Sequence, residues 1–484
     1  MEQSLLAELI RTLKSEEKAQ IIHFAATGMF NNGKIKAQVI PLLDIFLNHP
    51  LEFCEHRLEK KEVFAKVFPK QPFVEGKLEK LMVDALKVVR GFFLVQRYLR
   101  EDNEFNQLID YSEALRVRGL DTRYQQTVAR LQKLHDTAIH HGQQFYHHKF
   151  LLEFAKYEEE TRHNQAKGDL NIPSTLQALE LDYLHNRLML LNQFLLQQKI
   201  AHLNVPERIS LLIEAHHIPK EYLEQSVSIK INHEIFNLLR KKAPAASEVQ
   251  QLFELLLLHE KSLDPKSLSD FYAFLRNLCV LSISSDYEKL EMAYMLHDLY
   301  KDNLDRGYLH FEGKISRSKY MAVANNALLI EKYDWALAFI EKYKNELQGE
   351  NETKDIYRLN LAAYLFKVGR FSDCLDFIPD TSPYLIYLLQ GKRLELKSLY
   401  ELGSDLLPYK LDAFKMYLSR TSQKLLSEAQ RQINTDFANF LHQLIHSIPG
   451  DSKRSDILTK RIQEKKQAFE YRWLLEKAKA LKNK

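Results

Sequence analysis

The sequence predicts an all-α protein, and three observations lead to that prediction. Only 14 of the 484 residues are glycine, whereas Leu, Lys, Glu, Gln and Ala, which lose little side-chain freedom in a helix, are abundant. Alternating strand-like runs bounded by turn pairs are nearly absent. The last third of the chain contains a repeat, since Tyr320–Ile340 and Arg358–Ile378 share the residue pattern of a helical hairpin. We therefore expect an array of helical hairpins, an α-solenoid.

The composition limits the class of protein further. A hydrophobic content of 45% with 27% charged residues is ordinary for a folded chain. No apolar run approaches the ~20 residues of a membrane span, and Glu8 interrupts the place where a signal sequence would stay apolar. Cys54, Cys279 and Cys374 are far apart and form neither a disulfide framework nor a zinc-ligand pair. These features predict a cytoplasmic protein.

Breaks in the helical pattern divide the chain into four predicted regions. They are an N-terminal helical domain (1–165), a middle helical array (174–286), tetratricopeptide-like repeats (287–420) and C-terminal helices with a basic tail (421–484). Prolines separate the apolar-periodic stretches of the middle region, where each ends one helix or begins the next. A helix from Tyr384 to Leu402, followed by Asp405 to Pro408, indicates a third and degenerate hairpin.

The basic tail carries most of the excess positive charge. Lys453 to Lys484 contain eleven Lys and Arg residues against four acids. The apolar residues of this stretch recur at helical spacing. Two interpretations stay open: a solvated terminal helix that caps the array, or a helix that contacts an anionic partner such as nucleic acid.

The two hairpins match at a constant offset of 38 residues. The matched pairs are Ala324 with Ala362, Tyr333 with Phe371, Ala336 with Cys374 and Ile340 with Ile378. Small residues let paired helices approach closely, and the aromatic residue fills the open end of the hairpin. This placement resembles the tetratricopeptide repeat over roughly 100 of the 484 residues.

The resemblance has three departures. Tyr320 matches the first aromatic position of the family, but its counterpart is Arg358. The turn glycine is present as Gly369 and is replaced by Glu331 in the first hairpin. The offset also exceeds the family's typical spacing of about 34 residues. Since at least three units are needed for stability, we expect the preceding helices to complete the array.

The resemblance implies a partner-binding groove lined by the first helix of each hairpin. Carried over by position, the groove residues are Met321, Asn325, Leu328, Leu359, Ala363 and Phe366. The basic residues that hold a partner's terminal carboxylate in some family members are not matched. A largely apolar groove suits a helix or an extended segment of a protein partner. The alternative is that these residues are core between neighbouring helices.

The N-terminal region has a second resemblance. The run Lys61–Phe73 and the following predicted helix, Val74 to Arg90, are similar to the opening of large uncharacterised helical proteins from bacteria. That similarity implies no activity. The same segment has the pattern of a helix-turn-helix, but its second helix is nearly neutral, whereas a DNA-reading helix should be basic. Its charged residues are Lys77, Lys80, Lys87 and Arg90 against Glu75, Glu79 and Asp84.

Three patterns that could indicate chemistry are better explained by structure or chance. Gly28–Lys34 nearly spells a phosphate-binding loop, but Ile35 replaces the magnesium-binding Ser or Thr and the preceding segment is helical. The Glu-x-x-His pairs, Glu160 with His163 and Glu214 with His217, occur about as often as chance allows. The histidines His135, His140, His141, His147 and His148 form a cluster whose spacing along a helix is too long for one metal ion.

The sequence therefore predicts no catalytic residue, no cofactor and no metal site. The function it favours is a scaffold or adaptor that binds a protein partner through the apolar groove. The alternative is a nucleic-acid-associated regulator that uses the N-terminal hairpin or the basic tail. An enzyme is not expected.

Overall fold

The computed structural model confirms the all-α class. It describes residues 3–27, 37–48, 59–163, 168, 170–201, 204–214, 217–285, 290–349, 353–465 and 468–483. The helices of the first part are α1 (Leu5–Arg11), α2 (Ser15–Ala26), α3 (Val39–Asn48), α4 (Lys60–Val67), α5 (Lys77–Tyr98), α6 (Glu104–Val117), α7 (Asp121–Asp136), α8 (Gln143–His163) and α9 (Ile172–Ala201).

The later helices continue to the end of the chain with short connections. They are α10 (Glu207–Glu214), α11 (Lys220–Gln225), α12 (Val227–Arg240), α13 (Ala246–His259), α14 (Pro265–Ser285), α15 (Glu291–Asp305), α16 (Arg317–Leu329), α17 (Tyr333–Tyr343), α18 (Thr353–Lys367), α19 (Phe371–Phe377), α20 (Leu385–Glu401), α21 (Leu407–Arg420), α22 (Glu428–Ile445), α23 (Ser452–Glu464) and α24 (Tyr471–Ala480).

A small β-hairpin between α15 and α16 was not expected from the sequence. Strands β1 (His310–Phe311) and β2 (Lys314–Ile315) pair antiparallel. Glu312 and Gly313 join them, both at positive φ, which is the backbone geometry of a two-residue hairpin turn. With two residues in each strand, the alternation is too short to be visible in the sequence.

The chain forms two compact units. Unit 1 comprises residues 1–138 and 144–180, and unit 2 comprises residues 139–143 and 181–484. The predicted boundary at 165–174 precedes the observed one, which falls within α9. From Leu181 onward, the predicted regions 174–286, 287–420 and 421–484 lie in the same unit. One hydrophobic core runs through unit 2 from Leu184 to Leu481.

The two hairpins found in the sequence are α16–α17 and α18–α19, and their turns have the same geometry. Glu331 and Gly369, 38 residues apart, both have positive φ, 60° and 81°. In the first turn the backbone N–H of Lys332 donates to the carbonyl of Ala327, and in the second Arg370 donates to Leu365, both at 2.9 Å. This is a Schellman-type helix end. The hairpins therefore repeat in backbone geometry as well as in sequence.

The same turn occurs in two further hairpins. In α20–α21, which is the third hairpin indicated by the sequence, Gly403 has positive φ and Ser404 donates to the carbonyl of Leu399 at 3.0 Å. In unit 1, α6–α7 is joined in the same way through Gly119. Within unit 2, α16 contacts α17 and α18, α18 contacts α19 and α20, and α20 contacts α21. Three hairpins thus pack in chain order.

Packing between the paired helices uses the small residues expected from the sequence. Ala324, Ala362, Ala336 and Cys374 are all fully buried. The unmatched position is filled differently in the two hairpins. Tyr320 is buried and its hydroxyl donates to the carbonyl of Ile340 at 2.7 Å. Its counterpart Arg358 is exposed and donates to the carbonyl of Asp376 at 2.8 Å. Both side chains donate a hydrogen bond to a backbone carbonyl in the last turn of the second helix. A tyrosine hydroxyl does this in the first hairpin and an arginine guanidinium in the second.

Candidate functional site

The structure places four of the six predicted groove residues in the core. Met321, Leu328, Leu359 and Phe366 are buried, whereas Asn325 is exposed and Ala363 is half-buried. Because the first helices of the hairpins are covered by their neighbours, an open apolar groove does not run along these four side chains. A partner-binding role for the six residues stays a prediction.

The first helices of the two hairpins, α16 and α18, contact neighbouring helices of unit 2. The Phe366 ring lies 5.3 Å from the ring of Phe371 and 4.4 Å from the ammonium of Lys397 on α20. Asn326, next to the exposed Asn325, donates to the carbonyl of Ala293 on α15 at 3.1 Å. Phe366 therefore packs against α19 and α20, and Asn326 is bonded to α15.

An exposed apolar stripe is present on α21 and the turn before it. Leu402, Leu406, Tyr409 and Met416 are 46%, 59%, 73% and 49% exposed. The last three follow helical spacing and lie on one face. We call these four residues the α21 stripe. An exposed apolar face of this kind is typical of protein interaction surfaces.

The stripe is hard to recognise in the sequence because α21 is apolar on two faces. Leu407, Leu411, Phe414 and Leu418 form the buried face, and they account for the periodic signal by themselves. The surplus of apolar positions in a 14-residue helix is the signal that could have identified the second face.

Unit 2 also contains a cavity of about 340 Å³ bounded by α9, α12 and α14. Its apolar lining includes Met189, Leu190, Leu196, Ala273, Phe271 and Phe274, and its polar lining consists of His185, Gln193, Asn232, Ser267, Asp270 and Asn277. The sequence did not indicate this cavity, since its polar residues come from three helices that are far apart along the chain.

Buried hydrogen bonds fix the inner wall of this cavity. Asn192 donates to the backbone carbonyl and side-chain oxygen of Asn232 at 2.9 and 3.2 Å. Asn232 in turn donates to the carbonyl of Ser228 at 3.0 Å. The Ser228 hydroxyl lies 3.2 Å from Nδ1 of His185. These side chains are almost completely buried, so the network holds α9 and α12 in register behind the cavity.

Burial also sets the charge of the histidine in that wall. Loss of hydration lowers the pKa of His185 to about 4, although Asp264 and Asp182 act in the opposite direction. The imidazole is therefore neutral at pH 7 and contributes no positive charge to the cavity.

The helix-turn-helix interpretation meets a geometric difficulty. Nine residues separate α4 from α5, whereas such motifs use a turn of about 3–4 residues. The acids of α5 are engaged locally, since Glu79 pairs with Lys60 at 2.6 Å and Asp84 with Lys87 at 2.9 Å. DNA binding by this segment stays a prediction without geometric support.

The basic tail is an integral part of unit 2. Tyr471, Trp473 and Leu474 on α24 are buried. Trp473 Nε1 donates to Glu401 Oε1 at 2.7 Å, and Lys477 pairs with the same carboxylate at 2.8 Å. The terminal segment thus packs on α20 as part of the core of unit 2, and both interpretations of its charge stay predictions.

The remaining sequence patterns lie partly outside the described residues. Gly28–Lys34 and Cys54 lie outside the described residues. Glu160 and His163 lie in the last turn of α8. The rings of His135 and His148 stack on Phe145 and Phe105 at 4.3 and 4.1 Å between centroids, and burial lowers the pKa of both histidines, that of His148 to about 4. These two histidines are packing groups.

Two searches of the described residues were negative. No group of three or more His, Cys, Asp or Glu side chains in the described ranges is placed to hold a metal ion. Within the same part of the chain, no helix combines the length and apolar character needed to cross a membrane.

Comparison with known proteins adds no assignment. No protein-family model matches the chain, and searches of curated proteins and of solved structures likewise give no match.

Proposed function

We propose that the chain is an α-solenoid of helical hairpins, tetratricopeptide-like around α16–α19, and that it acts as a scaffold for a protein partner. The observation that supports this proposal is the repeated turn. The hairpins α16–α17, α18–α19 and α20–α21 end their first helix in the same way and pack in chain order. Repeat architectures of this kind present extended surfaces to other proteins.

The α21 stripe is the surface we assign to the partner. Of the six predicted groove residues on α16 and α18, Asn325 is the exposed one. The stripe, in contrast, presents four large apolar side chains. Lys410 beside it is already paired with Glu395 at 2.7 Å. The surface is therefore apolar in its centre, and an amphipathic helix or an extended segment with an apolar face is the partner that suits it.

The test is affinity purification from the native host with a stripe variant. We expect L406S/Y409S/M416S to stay folded, because these side chains are exposed, and to lose the partner that the unaltered chain retains. L258S/F311S is the matched control, since Leu258 and Phe311 are 76% and 69% exposed elsewhere in unit 2. Equal partner recovery with both variants would contradict the assignment of the stripe.

Salt dependence distinguishes this proposal from nucleic-acid binding. Raising salt from about 50 to about 200 mM should leave retention by an apolar surface nearly unchanged, whereas contacts with phosphates weaken steeply over that range. If retention on both DNA and the recovered partner disappears over that interval, the scaffold proposal fails and the alternative gains support.

A further inference from the structure

The cavity between α9, α12 and α14 has the size and lining of a small-molecule site. Its volume of about 340 Å³ falls within the range of roughly 300–1,000 Å³ found for ligand pockets. The apolar wall of the cavity includes Phe271, Phe274 and Leu196. These side chains are buried, so the core fixes their positions. The cavity is independent of the α21 stripe and of the proposed scaffold function.

Three polar side chains lie at the solvent side of the lining, where Gln193 and Asp270 are exposed and Asn277 is half-buried. In the part of the chain that the structure describes, Gln193, Asp270 and Asn277 form no side-chain hydrogen bond and no ion pair. The deeper polar groups differ, since Asn232 and His185 are bonded to Asn192 and Ser228. The cavity therefore has a hydrogen-bonded inner wall and, besides the Ser267 hydroxyl, two amides and one carboxylate without a protein partner within the described ranges.

The charge of the cavity lining favours a positively charged ligand. Asp270 is the charged residue among the lining side chains, because His185 is neutral at pH 7 and no lysine or arginine contributes to the wall. Burial raises the pKa of the Asp270 carboxyl, and of its charged neighbours Lys266 lowers this pKa whereas Asp264 raises it. A carboxylate without a paired cation attracts a positive ligand and repels an anionic one.

We propose that this cavity binds a small organic cation, namely a primary amine attached to an apolar body of about the size of one aromatic ring. The ammonium group donates to the Asp270 carboxylate, and the apolar body packs against Phe271 and Phe274. Gln193 and Asn277 supply further polar lining. An ammonium group has three donors and no acceptor, so a carboxylate suits it and a second cation would not.

The experiment is calorimetric titration of the full chain at pH 7 with three probes of one shape. They are 2-phenylethylamine, the uncharged 2-phenylethanol and the anionic 3-phenylpropanoate. We expect saturable binding of the amine, weaker binding of the alcohol and none of the carboxylate. Absence of saturable amine binding, or equal binding of all three probes, would overturn the proposal.

Two substitutions locate the site. D270N should weaken amine binding about tenfold or more, the value of one charged hydrogen bond, and should remove the preference of amine over alcohol. D334N is the matched control, because Asp334 is an exposed carboxylate on α17. A273F should block both amine and alcohol by filling the cavity. Amine binding that is the same in D270N, A273F and D334N would place the ligand elsewhere and refute the assignment.

Discussion

Glu470 joins the last helices to α20 through two buried cations. Its carboxylate lies 2.6 Å from Lys397 Nζ and 3.5 Å from Arg393 Nε. Arg393 also donates to Asn434 Oδ1 at 2.8 Å and lies over the Phe469 ring at 3.9 Å. Burial by itself would raise the pKa of Glu470, but the charges and hydrogen bonds of Lys397 and Arg393 hold it at about 2. The carboxylate is therefore a structural anion.

Replacing this anion should destabilise unit 2. We expect E470Q to lower the free energy of unfolding at pH 7 by about 3 kcal/mol, because two buried cations lose their counter-charge. The folded pKa is depressed, so this contribution is complete above the unfolded value of about 4.3. It is lost as the pH falls through the folded value of about 2. Urea unfolding between pH 7 and pH 2 measures both effects.

The pH dependence of the stability difference between E470Q and the unaltered chain provides an internal control. The stability gap between E470Q and the unaltered chain should narrow as the pH falls from about 4.3 toward 2, since protonation removes the same charge that the substitution removes. E476Q serves for comparison, because the Glu476 side chain is 68% exposed. A pH-independent gap would mean that the carboxylate acts by shape and not by charge.

At the scale of single residues, the sequence predicted packing better than polar contacts. The small residues Ala324 and Ala362 were identified from a local repeat, and they are buried. The pairing of Lys397 with Glu470 joins residues 73 positions apart, and no local pattern indicates it. The cavity is likewise not indicated by any local pattern, since Gln193 and Asn277 are far apart in the sequence and line one cavity only in the folded chain.

At the scale of the element, the repeated turn explains both the likeness and the difference between the hairpins. Each turn requires one residue at positive φ, and the two hairpins supply Glu331 and Gly369. A glycine adopts this conformation freely, whereas a residue with a Cβ is strained there by roughly 1–2 kcal/mol. No atom lies within 4 Å of a Cβ placed on Gly369, so the cost of a side chain there comes from the backbone alone.

Reciprocal substitutions in the two turns should therefore have opposite effects. We expect E331G to raise the free energy of unfolding by about 0.5–1 kcal/mol, because relief of the strained φ exceeds the added entropy of the unfolded chain. G369A should lower it by about 1 kcal/mol. Chemical denaturation of each single variant measures the change.

The glycine of a third hairpin turn provides the control for this pair. Gly403 closes the α20–α21 hairpin at positive φ, again without a neighbour within 4 Å, so G403A should match G369A within about 0.5 kcal/mol. If E331G were destabilising, the side chain of Glu331 would have to contribute more than its backbone costs, and the equivalence of the two turns would not extend to their energetics.

At the scale of the molecule, the all-α class followed from composition and periodicity, whereas the division into units depends on which helices share a core. The sequence has polar breaks near 165–174, yet α9 continues from Ile172 to Ala201 and contains the observed boundary. Proline and glycine mark where helices end, and they carry no information on which helices share a core. One core connects α9 with α24, so the basic tail belongs to the largest packed body and not to a separate region.

Removal of the tail tests that conclusion most directly. Deletion of residues 452–484 takes away α23 and α24, including the buried side chains of Tyr471, Trp473 and Leu474. Each contributes roughly 1.5–3 kcal/mol by burial, and their sum is comparable with the ~5–15 kcal/mol that stabilises a whole domain. We expect the truncated chain to aggregate or to lose cooperative unfolding, as measured by size-exclusion chromatography and thermal circular dichroism.

The tail's charge can be separated from its packing. K453Q/K460Q/K479Q neutralises three exposed cations that have no ion-pair partner among the described residues, and its stability should stay within about 0.5 kcal/mol of the unaltered chain. If the chain without residues 452–484 were stable and monomeric, the tail would not be needed for folding. Loss of salt-sensitive DNA retention in the triple variant, with folding unchanged, would then assign the tail's charge to nucleic acid, because contacts with phosphates depend on charge and not on the apolar face of α24.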